Sequence, residues 1–210
     1  EKLIRSKNRV AAYGEVFTPD QLVKEMLDLV EIEAERIDSR FLEPACGSGN
    51  FLIEILKRKL VTVDRKHKQN KFEKNNYSLL AIMSIYGIEI LEDNAKECRQ
   101  NLLQTLASYL KIETSDQIYL AAREIVNLNI VTGDAMNLST LENTPIIFPE
   151  WSYLGVGKFQ RRDFAVQNLT QRSSIKGSLF ESLEDSEIFR PIREFNSLTV
   201  EEIGNLQAAC

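Results

Sequence analysis

The sequence Phe-Leu-Glu-Pro-Ala-Cys-Gly-Ser-Gly-Asn-Phe-Leu at residues 41–52 decides the fold. A short apolar strand leads into it, Gly47 and Gly49 form a tight turn, and an apolar run with helical spacing follows. Glycines at the mouth of a strand let the backbone approach a ligand closely, and the helix after them points its first amides at that ligand. The stretch therefore predicts an adenosyl-binding pocket at the edge of a parallel α/β sheet.

Length and composition suit one full domain with a hydrophobic core. The chain has 210 residues, of which 43% are hydrophobic. No apolar run approaches the roughly 20 residues that a membrane-spanning helix needs. Three scattered cysteines and the single histidine, His67, predict no metal site and no histidine-based triad. Sparse cysteines and a polar start without a secretion signal lead us to expect a cytoplasmic protein with no membrane association.

The charge balance does not favour direct DNA binding. The net charge is −5, whereas a protein that binds DNA by itself usually presents a basic face. One basic run lies in and after the helix that follows the glycine turn. We expect it to be a solvated surface rather than a DNA contact. Its members are Lys57, Arg58, Lys59, Arg65, Lys66, Lys68, Lys71 and Lys74.

Strand and helix patterns alternate along the first 140 residues. The alternation predicts an α/β fold with a doubly wound, mostly parallel sheet. Thr18 is predicted to cap a helix over residues 19–35 whose first residue is Pro19. The other predicted elements are a buried strand at 40–43, a helix at 50–60, an exposed insertion at 61–76, a helix at 77–85, a strand at 86–90, a helix at 93–112, a helical turn at 121–127 and a strand at 129–134.

The pattern changes after residue 140, so we divide the chain into a core at 1–140 and a second part at 141–210. An aromatic hairpin is predicted around Trp151, Tyr153 and Phe159, in which the aromatic side chains serve packing. Residues 165–210 show no convincing period and are predicted to form an extended tail.

An acid ends each of the three predicted strands: Glu43, Glu89 and Asp134. An acid before the glycine turn repels a phosphate and attracts an ammonium or sulfonium group. Leu52 also occupies the place of the third glycine of a dinucleotide motif. The pattern therefore favours S-adenosylmethionine over a nicotinamide cofactor. Glu89 is positioned to accept hydrogen bonds from ribose hydroxyls, and Asp134 to accept one from the adenine amino group.

Together these residues resemble the S-adenosylmethionine-binding part of the N6-adenine DNA methyltransferases of bacterial restriction–modification systems, over about residues 13–140. Phe17-Thr18-Pro19 matches the family's element that closes over the methionine end of the cofactor, and residues 43–49 match its cofactor loop. The order of these two elements is that of the gamma class, which includes type I modification subunits. The resemblance implies a Rossmann-like methyltransferase fold. It also implies these cofactor-binding residues: Phe17, Thr18, Pro19, Glu43, Pro44, Ala45, Cys46, Gly47, Gly49, Glu89, Ile90, Asp134 and Ala135.

The catalytic motif of that family is missing from the sequence. In the family a further strand ends in Asn/Asp-Pro-Pro-Tyr/Phe, which holds the amino group of the flipped adenine and stacks on its ring. The chain contains no Pro-Pro, and the nearest stretch, Asn-Thr-Pro-Ile at 143–146, lacks the second proline and the aromatic residue. We therefore predict no catalytic residue and no methylation of DNA by this chain alone.

Two explanations fit this departure. In one, the chain is the cofactor-binding subunit of a split enzyme, and a partner chain supplies the Pro-Pro motif, target recognition and the DNA contacts. In the other, it is a catalytically inactive scaffold or regulatory binding protein with a methyltransferase fold. A third reading, a small-molecule or RNA methyltransferase, predicts activity without a partner.

Overall fold

The computed structural model describes residues 4–167 and 190–206 of the chain. Most of the predicted tail, at residues 168–189 and 207–210, lies outside the described residues.

A four-stranded, mostly parallel sheet carries the first part of the chain. Its strands are β1 (Phe41–Glu43), β2 (Ile85–Glu89), β3 (Ile130–Asp134) and β4 (Ser139–Thr140), in that order across the sheet. The first three are parallel, whereas β4 pairs antiparallel with β3. All five residues of β2 are buried, as expected for a central parallel strand. The mixed α/β class with a mostly parallel sheet is confirmed.

Four long helices connect the parallel strands: α4 (Asn50–His67) and α5 (Lys71–Met83) join β1 to β2, and α6 (Glu92–Leu110) and α7 (Gln117–Asn129) join β2 to β3. Their apolar sides form one core with the sheet. Each fully buried leucine or isoleucine contributes about 1.5–3 kcal/mol to that core. Leu52, Leu56, Leu79, Ile82, Leu102, Leu106 and Ile125 are among the fully buried side chains.

The second face of the sheet carries a smaller cluster around Tyr86 and Ile88. In the described part of the chain, Ile146, Phe148 and Val166 cover it. A doubly wound arrangement of Rossmann-like type, with helices on both faces, therefore stays a prediction.

The helix predicted at residues 19–35 is wrong in its bounds. The structure has α1 (Lys7–Tyr13), then α2 (Asp20–Asp28) and α3 (Glu31–Glu35), with Pro19 rather than Thr18 at the N-cap of α2. The apolar pattern continues through Leu29, but that side chain is 85% exposed. The chain bends there, so that α2 and α3 each pack against α4.

The exposed insertion predicted at residues 61–76 is also wrong. Helix α4 runs on to His67, and α5 begins at Lys71 after a short turn. Val63 is fully buried and continues the apolar stripe of α4. An ion pair of 2.7 Å between the Lys74 ammonium and the Asp64 carboxylate joins the two helices. The basic residues suggested a solvated loop because most of them lie on the exposed sides of α4 and α5 and mask the apolar period of these helices in the sequence.

Lys59 contradicts the prediction that the whole basic run is solvated. Its side chain is fully buried, and the ammonium donates to the carbonyl oxygens of Arg36 and Ile37 at 3.0 and 3.1 Å and to that of Ser39. It also donates to the Ser84 hydroxyl at 2.8 Å. Desolvation lowers the pKa of Lys59 to about 7. The side chain ties the segment before β1 to the start of β2.

Two smaller predictions need correction. The first strand is three residues long and not buried, since Leu42 is 46% exposed. The helical turn predicted at 121–127 is the 13-residue helix α7. The sequence pattern predicted too short a helix here, because the buried face of α7 includes polar side chains such as Glu124 and Asn129.

The aromatic hairpin is confirmed. Strands β5 (Ile147–Gly155) and β6 (Lys158–Ala165) pair antiparallel in a second sheet. Trp151 and Phe159 are buried in the main core, so packing accounts for them.

The described end of the chain, residues 190–206, lies on the second sheet and on α7. Strands β7 (Arg193–Glu194) and β8 (Leu198–Thr199) both pair with β6, and a short helix α8 (Val200–Gly204) packs on α7. Ile203 of α8 is fully buried. A capping box begins α8, because the Thr199 hydroxyl accepts from the Glu202 amide while the Glu202 carboxylate accepts from the Thr199 amide.

Candidate functional site

A cavity of about 450 Å³ lies at the carboxyl ends of β1, β2 and β3. Eleven of the thirteen predicted site residues line it; Gly49 and Pro19 do not. A larger groove of about 720 Å³ between α2, α4 and α6 contains none of the three predicted acids. The predicted residues at the cavity are Phe17, Thr18, Glu43, Pro44, Ala45, Cys46, Gly47, Glu89, Ile90, Asp134 and Ala135.

The loop between β1 and α4 depends on its two glycines. Gly47 has φ +53°, and a Cβ there would approach the Phe17 ring at 3.3 Å. Gly49 has φ +96°, and a Cβ there would lie 2.7 Å from the Cys98 sulfur. Gly49 is the N-cap residue of α4 and is not among the residues that line the cavity. Both positions need a residue without a side chain.

Cys46 is a buried packing residue of this loop. A hydrogen bond with the Cys98 thiol, together with burial, raises the pKa of Cys46. A thiol held protonated is a poor nucleophile. The sequence-based view of Cys46 as a small filler agrees with this environment.

Glu89 joins the loop to the end of β2. One carboxylate oxygen accepts from the Gly47 amide at 2.8 Å, and the other accepts from the Leu91 amide at 3.0 Å. The side chain is buried, yet each oxygen keeps a second acceptor position that can face the cavity. Glu89 therefore supports the loop in addition to facing the cavity.

Asp134 forms a turn at the end of β3. One oxygen accepts from the Met136 amide at 2.8 Å, and the other accepts from the Asn137 side-chain amide at 2.6 Å. This is the geometry of an ordinary turn aspartate. Its neighbours Ala135 and Met136 also line the cavity, and Met136 is 92% exposed.

Glu43 is the least engaged of the three acids. Among the residues that the structure describes, it accepts a hydrogen bond only from the Ala45 amide, at 3.4 Å. Burial raises the pKa of Glu43. A positive ligand group next to Glu43 would offset that effect and favour the ionised carboxylate.

Several lining residues were not predicted from the sequence. The Asn50 side chain donates to the Thr18 carbonyl at 3.1 Å and so joins the start of α4 to the segment over the cavity. Asn94 is buried and donates to the Glu15 carboxylate at 2.7 Å. Only Asn50 had a sequence signal, since it directly follows the Gly-x-Gly turn. Glu15 and Asn94 lie 79 residues apart along the chain, so no local pattern connects them.

The stretch Asn-Thr-Pro-Ile at 143–146 does not reach this cavity. Asn143 lies in an exposed turn with φ +60°, and Ile146 is buried below the second face of the sheet. None of the four residues is among those that line the cavity.

The polar groups that line the cavity fit an adenosyl ligand with a positive centre. Four carboxylates line the cavity, those of Glu15, Glu43, Glu89 and Asp134, so a phosphate would meet repulsion, whereas hydroxyls, an amino group and a sulfonium would meet acceptors. Ile90, 46% exposed at the rim, offers an apolar wall for a ring. Within residues 4–167 and 190–206, no group of acids, cysteines and histidine could hold a metal ion. Nor does any helix there have the length and apolar character needed to cross a membrane.

Comparison with known proteins identifies the family of the chain. The family described as "N-6 DNA Methylase" matches residues 1–131, which is more than half of the chain. A stretch of 41 residues is 51% identical to the type I restriction enzyme MjaVII methylase subunit of Methanocaldococcus jannaschii. That stretch is 20% of this chain and 7% of the relative. No solved structure matches the chain. The resemblance read from the motifs is thus confirmed, and the chain belongs to the N-6 DNA methylase family.

Proposed function

We propose that the chain is the cofactor-binding subunit of a split N6-adenine DNA methyltransferase of a restriction–modification system. It would bind S-adenosylmethionine, and a partner chain would bring the DNA and complete the active site. The observation that carries the proposal is the cavity formed by Glu43, Glu89 and Asp134 in a family member whose sequence has no Pro-Pro motif.

The residues of the cavity have distinct parts in this proposal. S-adenosylmethionine supplies an electrophilic methyl group on a positive sulfur. Glu43 would stabilise the positive end of the ligand, and Glu89 would accept from the ribose while it holds the Gly47 amide in place. Asp134 and Ile90 would contact the adenine. Phe17, packed against the loop, would limit water at the methionine end.

The edge of β1 supports the need for a partner. In the described residues β1 pairs only with β2, over three residue positions. The Phe41 amide also donates to the Ser84 carbonyl, directly before β2, at 3.0 Å. Because hydrogen-bonding directions alternate along a parallel strand, the amide and carbonyl of Leu42 point away from β2. A strand added parallel to this edge would end beside Glu43, and hence beside the cavity. The residues after that strand would then reach the cofactor.

The name of the matched relative also supports a multi-chain assembly, since that protein is a methylase subunit. The acidic balance of this chain, with a net charge of −5, is consistent with a partner that supplies the DNA contacts.

One observation favours an inactive scaffold as the second candidate. Both oxygens of Glu89 and both oxygens of Asp134 already accept hydrogen bonds from the protein. A site that has lost its ligand would be expected to satisfy its own acids in this way.

Co-expression with the neighbouring gene product separates the two candidates. The split enzyme predicts N6-methyladenine in cellular DNA only when both chains are present, and its loss when Glu43→Ala or Glu89→Ala replaces the wild-type subunit. A stable complex of the two chains without methylation would support the scaffold. Methylation by this chain alone would refute both.

A further inference from the structure

The segment from Ile4 to Pro19 lies across one side of the cavity, yet the hydrophobic core does not hold it. Its helix α1 has no buried residue. The segment nevertheless contributes Glu15, Phe17 and Thr18 to the cavity wall. Polar contacts must therefore supply most of its attachment.

Two arginines make those contacts. The Arg9 guanidinium binds the Glu15 carboxylate through two hydrogen bonds of 2.7 Å and the Asp93 carboxylate at 2.7 Å. Arg5 also binds Asp93, at 3.1 Å, and forms an ion pair with Glu97. Asp93 and Glu97 lie in the first two turns of α6. The arginines thus fasten a segment with little apolar packing to a core helix.

Glu15 makes Arg9 the more important of the two. The Glu15 side chain is only 6% exposed, and its partners are Arg9 and the Asn94 amide. These contacts hold the pKa of Glu15 below its usual value, with the hydrogen bond from Arg9 as the largest cause. Without Arg9, Glu15 would be a carboxylate with little exposure that has lost its hydrogen-bonded cation and keeps only the attraction of Arg5. Such a group gains by moving into water.

Movement of Glu15 would open the cavity. Phe17 lies two residues further along and packs against Gly47, and the Thr18 carbonyl is held by Asn50. We propose that Arg9 is a positioning residue: by clamping Glu15 to α6 it keeps Phe17 over the cavity and sets how fast an adenosyl ligand leaves. This inference rests on the proposed function, because the ligand is the one proposed there.

The clamp should respond to salt. Arg9 is 26% and Asp93 is 51% exposed, so dissolved ions reach this pair. Since the Debye length falls from about 10 Å at 0.1 M salt to about 3 Å at 1 M, the attraction weakens over that range. Ligand release should therefore become faster as salt rises in the wild type, and less so after Arg9 is replaced.

The test compares Arg9→Met, Arg9→Lys and a control, Arg65→Met. Arg65 pairs with Glu35 between largely exposed side chains and is absent from the cavity wall. Dissociation of tritiated S-adenosylmethionine is followed by filter binding during a chase with unlabelled ligand. We expect a dissociation rate about five- to tenfold higher in Arg9→Met, a smaller rise in Arg9→Lys and no change in Arg65→Met. Equal rates in Arg9→Met and the wild type would overturn the inference.

A second measurement needs no ligand and separates this inference from the proposed function. Amide hydrogen exchange in residues 14–18 should be faster in Arg9→Met than in the wild type or Arg65→Met. If the wild type bound no S-adenosylmethionine but exchange still rose, the proposed function would fail and the clamp would stand. Unchanged exchange in Arg9→Met would refute the clamp itself.

Discussion

Replacing Gly49 by alanine tests the loop at its tightest point. The new Cβ would lie 2.7 Å from the Cys98 sulfur, and Cys98 is fully buried on α6. Alanine would also have to adopt φ +96°. The backbone strain costs about 1–2 kcal/mol, and overpacking adds about 1–3 kcal/mol. We expect a total loss of roughly 2–5 kcal/mol in the free energy of unfolding.

Gly155→Ala is the matched control. Gly155 has φ +86°, but a Cβ there would have no neighbour within 4 Å in the described part of the chain. It should therefore lose only the strain part, about 1–2 kcal/mol. A domain of this size loses about 2–4 °C in Tm per kcal/mol. Thermal unfolding should thus show a drop of roughly 4–20 °C for Gly49→Ala and roughly 2–8 °C for Gly155→Ala.

A second substitution identifies the clashing atom. Cys98→Ala removes the sulfur, and the next nearest atoms, the Cα and Cβ of residue 98, lie at 3.5 Å from the new methyl group, an ordinary contact distance. The double variant Gly49→Ala/Cys98→Ala should be more stable than the sum of the single effects predicts, by about 1–2 kcal/mol. Equal losses for Gly49→Ala and Gly155→Ala, or strict additivity in the double variant, would refute the reasoning.

Further predictions concern two charged groups, the buried Lys59 and the partly buried Glu43. Lys59→Met leaves the three carbonyl oxygens that the ammonium contacts without this hydrogen-bond donor. Urea denaturation should therefore show a loss of about 2–4 kcal/mol in the free energy of unfolding. Because the pKa of Lys59 is lowered to about 7, the unfolded chain binds more protons than the folded chain above that pH. The free energy of unfolding of the wild type should therefore rise between about pH 7 and pH 9, and that of Lys59→Met should rise less. Because burial raises the pKa of Glu43, affinity for a positively charged ligand should rise with pH as the carboxylate ionises. Glu43→Gln should flatten that rise in calorimetric titrations, and an unchanged slope would show that another group is responsible.

Much of the sheet could be predicted because its signals are local. Residues 41–49, Glu89 and Asp134 lie at strand ends, and parallel strands bring their carboxyl ends to one edge. The sequence pattern therefore placed most of the cavity wall without knowledge of any long-range contact.

The failures have different causes. At residues 61–76 the lysines suggested a solvated loop, whereas most of them lie on the exposed sides of two packed helices that the Lys74–Asp64 ion pair joins. Helix α8 has a local signal, the capping-box pattern from Thr199 to Glu202, but its five residues are too few to show an apolar period. The contacts of Glu15 with Arg9 and Asn94 depend on tertiary folding and had no such signal.

Calorimetric titration of S-adenosylmethionine into the isolated chain tests the central claim most directly, with Glu89→Ala as the comparison. The account predicts saturable binding at one site in the wild type. Glu89→Ala removes a charged acceptor and its hydrogen bond to the Gly47 amide. This loss is worth about 1.5–3 kcal/mol of binding free energy, so the affinity of the variant should be roughly 10- to 100-fold weaker. No binding by the wild-type chain, or an equal affinity in Glu89→Ala, would contradict the account.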